Sequence, residues 1–253
     1  TLRILAIFSA GTLVVTILSF PVARLLGLPR ASIGTFAQAA LRGNLAYIGL
    51  PVLVFAMRGN PPEVLSEVLA QMMFVFAPSV FFYNVLSVAL LVGGREGFST
   101  KQFGPMILKI LGNPLILACL LGTALFCAPF QLPVAVLNTL ELAGGMAAPA
   151  SLFCVGGAIA FVSMKGRYLS SICASMMKCI LLPGLTATIG HFAGLTGHAR
   201  LILLVLSACP IAVTSYIMVR ELDGDEALAA GSIVISTLMC IPVLAIILAT
   251  CRV

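Results

Sequence analysis

Long apolar runs separated by short polar breaks make up almost the whole chain. A bilayer core about 30 Å thick is crossed by a helix of roughly 20 apolar residues, and several runs reach that length. A membrane β-barrel would instead show short segments of alternating hydrophobicity. The pattern therefore predicts an all-α integral membrane protein with about eight transmembrane helices. The predicted segments are Leu2 to Leu28, Ile33 to Met57, Val68 to Val92, Met106 to Cys127, Ala135 to Val162, Leu169 to Leu195, Arg200 to Val219 and Ala227 to Ala249.

The basic residues in the connections are distributed unevenly between the two sides of the predicted bundle. Lys and Arg concentrate in short cytoplasmic connections of membrane proteins. The first, third and fifth connections are the basic ones, so we expect them to be cytoplasmic, with both ends of the chain on the outer side. Their basic residues are Arg24, Arg30, Arg95, Lys101, Lys109, Lys165 and Arg167.

The composition of the chain bears on which partners, metals and cofactors we expect. The chain has 253 residues, 61% hydrophobic and only 9% charged, with a formal net charge of +6. The basic residues are scattered through the connections and form no patch, so we expect no nucleic-acid partner. The 8 cysteines form no CxxC pair, and only 2 histidines accompany them. Neither a disulfide, a metal site nor a cofactor is indicated.

Two predicted helices are interrupted by proline, the second at Pro51 and the seventh at Pro210. Proline removes a backbone hydrogen bond, and in lipid the freed groups need another partner. Paired interruptions point to a transport site, although ordinary helix kinks are the alternative. Polar side chains cluster around the two breaks, and for each one alone a hydrogen bond between helices is the alternative to ligand binding. They are Gln38, Asn44, Asn84, Thr214 and Ser215.

Several motifs resemble the auxin efflux carrier family, which includes the plant PIN-formed carriers and bacterial organic-anion permeases. The motifs are Asn44, Gly49 and Pro51 with Val52-Leu53, Pro210 with Arg220-Glu221, Gly231-Ser232-Ile233-Val234 with Pro242, Asn113-Pro114, and the run from Gly144 to Gly157. The resemblance implies ten helices in two inverted five-helix repeats, of which this chain would hold the third to the tenth. Residues 1–93 would then be the remainder of the first repeat, 94–105 a cytoplasmic linker and 106–253 the second repeat.

The resemblance also implies that the two proline-broken helices cross, with Pro51 and Pro210 near the crossing. Asn44 matches the family's substrate-contacting asparagine, whereas Thr214 and Ser215 occupy the second polar stretch without an asparagine. The substrate-binding residues predicted on this basis are Asn44, Gly49, Pro51, Asn84, Pro210, Thr214 and Ser215.

Lys178 and Glu141, each within a predicted membrane helix, are candidate functional charges. We expect Lys178 to extend its side chain to the cytoplasmic surface, with attraction of an anion as the alternative. Glu141 is expected at the outer interface, with proton coupling as the alternative.

The function predicted from these features is a secondary transporter of small organic anions, such as auxin-like or dicarboxylate acids, working by alternating access in the cell membrane. A non-transporting receptor or assembly subunit is the alternative. An intramembrane enzyme is disfavoured because the sequence has no HExxH, no GxSxG and no pair of buried carboxylates. The expected partners are the lipid bilayer and the anion, and a homodimer is left open.

Overall fold

The computed structural model describes residues 1–96, 112, 114–127, 132–161 and 166–251, and every regular element within these ranges is a helix. Two of the helices, α3 and α7, each contain one π-helical turn, at Leu45–Gly49 and Met177–Leu181. The elements are α1 (Leu2–Leu25), α2 (Arg30–Leu41), α3 (Leu45–Ala56), α4 (Pro62–Glu96), α5 (Pro114–Cys127), α6 (Val134–Phe161), α7 (Tyr168–Phe192), α8 (Gly197–Ala208), α9 (Thr214–Glu221) and α10 (Glu226–Thr250).

The all-helical prediction is confirmed for the described residues. In this part of the chain, 4 helices, α1, α4, α7 and α10, are long and apolar enough to cross a membrane. The second and seventh predicted segments are each divided into two shorter helices, α2 with α3 and α8 with α9. The predicted start of the fourth segment and most of the predicted linker lie outside the described residues. The eight spans and the inverted repeats remain predictions.

The π-helical turns accommodate prolines inside α3 and α7. Each turn is followed directly by a Leu-Pro pair, Leu50-Pro51 in α3 and Leu182-Pro183 in α7. The amide of the leucine bonds five residues back, Leu50 to the carbonyl of Leu45 and Leu182 to that of Met177. Because proline has no N–H and crowds the preceding turn, a wider turn there lets the helix continue.

The core lies around α8, whose residues from Leu201 to Ala208 are all buried. Helices α1, α3, α4, α7 and α10 pack against it, and α2 and α4 approach each other closely at Gly34. A Cβ added at Gly34 would collide with the backbone carbonyl of Leu90, so only glycine fits between these two helices. Helix α6, by contrast, exposes most of its described side chains, among them Phe153.

A polar network joins the starts of α2, α7 and α10. The Asp225 carboxylate accepts from Arg167 Nε at 2.7 Å and from the Ser32 hydroxyl at 2.6 Å. Its other oxygen caps α10 by accepting from the Leu228 amide. The Asp225 amide in turn donates to the Thr35 hydroxyl at 3.0 Å. These contacts bring together one end of each of three helices.

Candidate functional site

Two helical segments lose their helical structure in mid-course, and the extended segments meet. The Asn44 amide donates to the Pro210 carbonyl at 2.8 Å, and the Ala212 amide donates to the Arg42 carbonyl at 3.0 Å. Gly43 and Ile211 form an isolated antiparallel bridge between these bonds. The break between α2 and α3 therefore crosses the break between α8 and α9, backbone to backbone.

Proline explains the break between α8 and α9. Pro210 has no N–H to continue the helix, and the residue before a proline favours extended backbone. Cys209 accordingly has φ −54° and ψ 139°. The amide of Ile211, freed from the helix, donates to the Ser236 hydroxyl of α10 at 3.0 Å. This break was predicted at the correct residue.

Glycine and an asparagine cap explain the other break. Helix α2 ends just before Arg42, and α3 begins after Asn44, with Gly43 between the two helices. The Asn44 Oδ1 accepts a hydrogen bond from the Tyr47 backbone amide at 3.3 Å. Asparagine is among the strongest helix N-caps because its oxygen satisfies a free amide of the first turn. The prediction that this helix breaks at Pro51 was wrong: Pro51 lies about two turns further on, where the π-helical turn accommodates it.

A cavity of about 420 Å³ opens beside the crossing. That volume is within the range typical of small-molecule sites. Its polar groups come from the two breaks and from Asn84 of α4, and its apolar wall comes mainly from α4. The lining residues are Arg42, Gly43, Asn44, Leu45, Ala46, Tyr47, Phe76, Val80, Tyr83, Asn84, Ala118, Ala212, Val213 and Thr214.

Arg42 places a cation at the edge of this cavity. The residue is only 7% exposed, and its guanidinium donates to the Thr214 hydroxyl at 3.0 Å and to the Met218 sulfur at 2.8 Å. A cation held away from water attracts an anion more strongly than it would in solvent. Sequence reasoning missed this residue, although an arginine in the middle of a predicted membrane helix is itself a signal of a functional site.

The helix ends at the crossing add a directional field. Helices α3 and α9 begin there, so their first amides and positive dipole ends lie beside the cavity. Helices α2 and α8 end there, so their last carbonyls bring negative dipole ends to the same region. The N-terminal ends together with Arg42 make the cavity suitable for an anion.

The structure brings three of the predicted binding residues, Asn44, Asn84 and Thr214, into the cavity lining. Pro210 lies at the crossing and contributes its carbonyl to the backbone pairing. The location of these four residues does not show whether they contact the substrate, so substrate contact remains a prediction for each of them.

The other three predicted residues lie away from the cavity lining. Gly49 packs against the second break, where an added Cβ would lie 2.9 Å from the Cys209 sulfur. Pro51 lines a separate apolar recess against α10. Ser215 is buried, and its hydroxyl has no hydrogen-bond partner within the described part of the chain.

Lys178 does not reach the surface. The prediction that its side chain extends to the cytoplasmic side was wrong: the residue is 0% exposed, and its ammonium donates to the Ser207 carbonyl at 2.7 Å. The last carbonyls of α8 lack helical partners and supply the acceptor inside the protein. Glu141 is exposed on α6. Over the described ranges, no group of three or more His, Cys, Asp and Glu residues could hold a metal ion.

Apolar helices of spanning length together with the broken-helix crossing define a membrane-embedded protein with a cavity beside the crossing. A sequence model of the membrane transport protein family matches residues 1–248. The chain therefore belongs to that family, the family of the auxin efflux carriers, and is a membrane transport protein. No curated protein was found to match the chain.

Proposed function

We propose that the protein is a secondary carrier of small organic anions in the cell membrane, and that it works by alternating access around the crossing. The observation that carries this proposal is the buried guanidinium of Arg42 beside a cavity formed where two broken helices cross. The family membership supports transport as the activity. The charge and shape of the cavity support the class of substrate.

The cavity is lined by polar side chains and by an apolar wall. Arg42, Asn44 and Thr214 are among the polar lining residues, and a carboxylate beside them would accept hydrogen bonds from the guanidinium and from the side-chain NH₂ group of Asn44. Phe76 and Val80 form part of the wall. A substrate with one carboxylate and an apolar body fits this division, so we propose auxin-like monocarboxylates ahead of dicarboxylates.

The membrane potential supports net export of such an anion. An inside-negative potential of 100 mV favours the exit of one negative charge by about 2.3 kcal/mol. Export of a monoanion then needs no coupling ion.

Counterflow in proteoliposomes tests the proposal. Vesicles loaded with an unlabelled aromatic monocarboxylate should accumulate the same labelled acid, and an excess of external dicarboxylate or of the neutral amide analogue should compete only weakly. Making the vesicle interior negative should accelerate efflux of the labelled acid. Equal competition by the neutral amide, or no counterflow of any organic acid in a panel, would refute anion transport by this protein.

A further inference from the structure

Lys178 lies between the two breaks. It belongs to the π-helical turn of α7, and its ammonium donates to the carbonyl of Ser207, the penultimate residue of α8. A Cβ added at Gly43 would lie 3.1 Å from Lys178 Cε and 3.2 Å from Nζ. The lysine therefore fills the space against the backbone of the first break and bonds the end of the second broken helix.

The region around the ammonium carries negative partial charge. Helices α2 and α8 both end at the crossing, and the last carbonyls of a helix have no amide partner within it. In transporters with broken helices, such carbonyls and C-terminal ends are the groups that coordinate a coupling cation. Lys178 Nζ already bonds one of these carbonyls, that of Ser207.

No carboxylate within the described part of the chain forms an ion pair with Lys178. Among the described residues, the titratable side chains near enough to influence it are the thiols of Cys179, Cys209 and Cys240, which belong to α7, to the second break and to α10. The Ser207 carbonyl at the end of α8 is then the partner that offsets the charge of the buried ammonium.

We propose that the Lys178 ammonium is a resident cation, which occupies the position where a cation-coupled carrier would bind Na⁺. Arg42 and the helix N-termini face the cavity, whereas Lys178 neutralises the C-terminal ends at the same crossing. Transport therefore proceeds without Na⁺, because the cation is part of the chain. The inference rests on the proposed function for its meaning in transport, but the cation site itself can be tested without any substrate.

Lys178→Ala should remove the resident cation and leave a site that a free cation can occupy. Truncation leaves the Ser207 carbonyl without its donor and opens space beside Gly43. We expect methylammonium or Na⁺ to raise the midpoint of thermal unfolding of purified Lys178→Ala saturably, by at least about 4 °C, relative to choline at equal ionic strength. The wild type should show no such difference between the three salts.

Cys179→Ala is the matched control, because it truncates a neighbouring buried side chain without removing a charge. It should respond to the three salts as the wild type does. The proposal is overturned if Lys178→Ala shows no response specific to a small cation, or if Cys179→Ala shows the same response.

The wild type provides a second, independent test. Its unfolding midpoint and its counterflow should be equal in Na⁺ and in choline, and a saturable Na⁺ effect on either would overturn the proposal even if Lys178→Ala could not be purified. Failure of counterflow with every organic acid would count against the proposed function alone, because the cation-dependent unfolding of Lys178→Ala is measured without substrate.

Discussion

Asn44 performs two tasks at the crossing, and substitutions can separate them. Its Oδ1 caps α3 by accepting from the Tyr47 amide, and its side chain lines the cavity. Asn44→Ala removes both the cap and the amide donor. Asn44→Ser keeps an oxygen that can cap the helix but has no NH₂ group to offer a carboxylate.

The two losses have different sizes and different readouts. Loss of an N-cap destabilises a protein by about 1 kcal/mol, which lowers the unfolding midpoint of a chain of this size by roughly 2–4 °C. Loss of a hydrogen bond to a charged ligand costs about 1.5–3 kcal/mol, or roughly ten- to a hundredfold in affinity. We therefore expect Asn44→Ala to lose stability and affinity, and Asn44→Ser to lose affinity alone.

The assay pairs thermal unfolding with equilibrium binding of a labelled monocarboxylate to the purified variants. Asn138→Ala, which removes an exposed amide on α6, is the control and should change neither property. If Asn44→Ser binds the acid as tightly as the wild type, Asn44 acts only as a helix cap. The carboxylate would then have to be held by Arg42 and Thr214.

Two further predictions concern packing and topology. Gly34→Ala should lower the unfolding midpoint, because the new Cβ meets a backbone carbonyl of α4 and such overpacking costs about 1–3 kcal/mol. Gly184→Ala, with open space around the new Cβ, should not lower it. Equal midpoints for the two variants would contradict the packing described between α2 and α4. In a cysteine-free background, Ser99→Cys should resist impermeant thiol reagents in intact cells and Asn60→Cys should react, and the reverse pattern would overturn the orientation inferred from the basic connections.

Much of the helical architecture could be predicted from the sequence because hydropathy reports it directly. The break at Pro210 was also predictable, since a missing N–H has a local consequence that tertiary contacts do not remove. The break at Gly43 was not, because Pro51 is the stronger local signal and the π-helical turn that accommodates it depends on the packed helix.

The charges at the site required the structure. Lys178 was expected to reach water because a long side chain usually can, and no sequence pattern shows that the end of α8 offers it a carbonyl. Arg42 was detectable in principle as an arginine inside a predicted membrane segment. The role of its guanidinium at the cavity could not be predicted, because its partners Thr214 and Met218 come from a helix far along the chain.

The most direct test of the proposed anion site compares a monocarboxylate with its neutral amide analogue in binding to wild type and to Arg42→Gln. Loss of a desolvated charge partner should weaken binding of the acid at least about tenfold and leave the amide nearly unchanged, so the preference for the acid should collapse. Arg200→Gln, which removes an exposed arginine at the start of α8, should keep the wild-type preference. If Arg42→Gln still prefers the acid as strongly as the wild type does, the anion is not bound beside Arg42, and the proposed site is wrong.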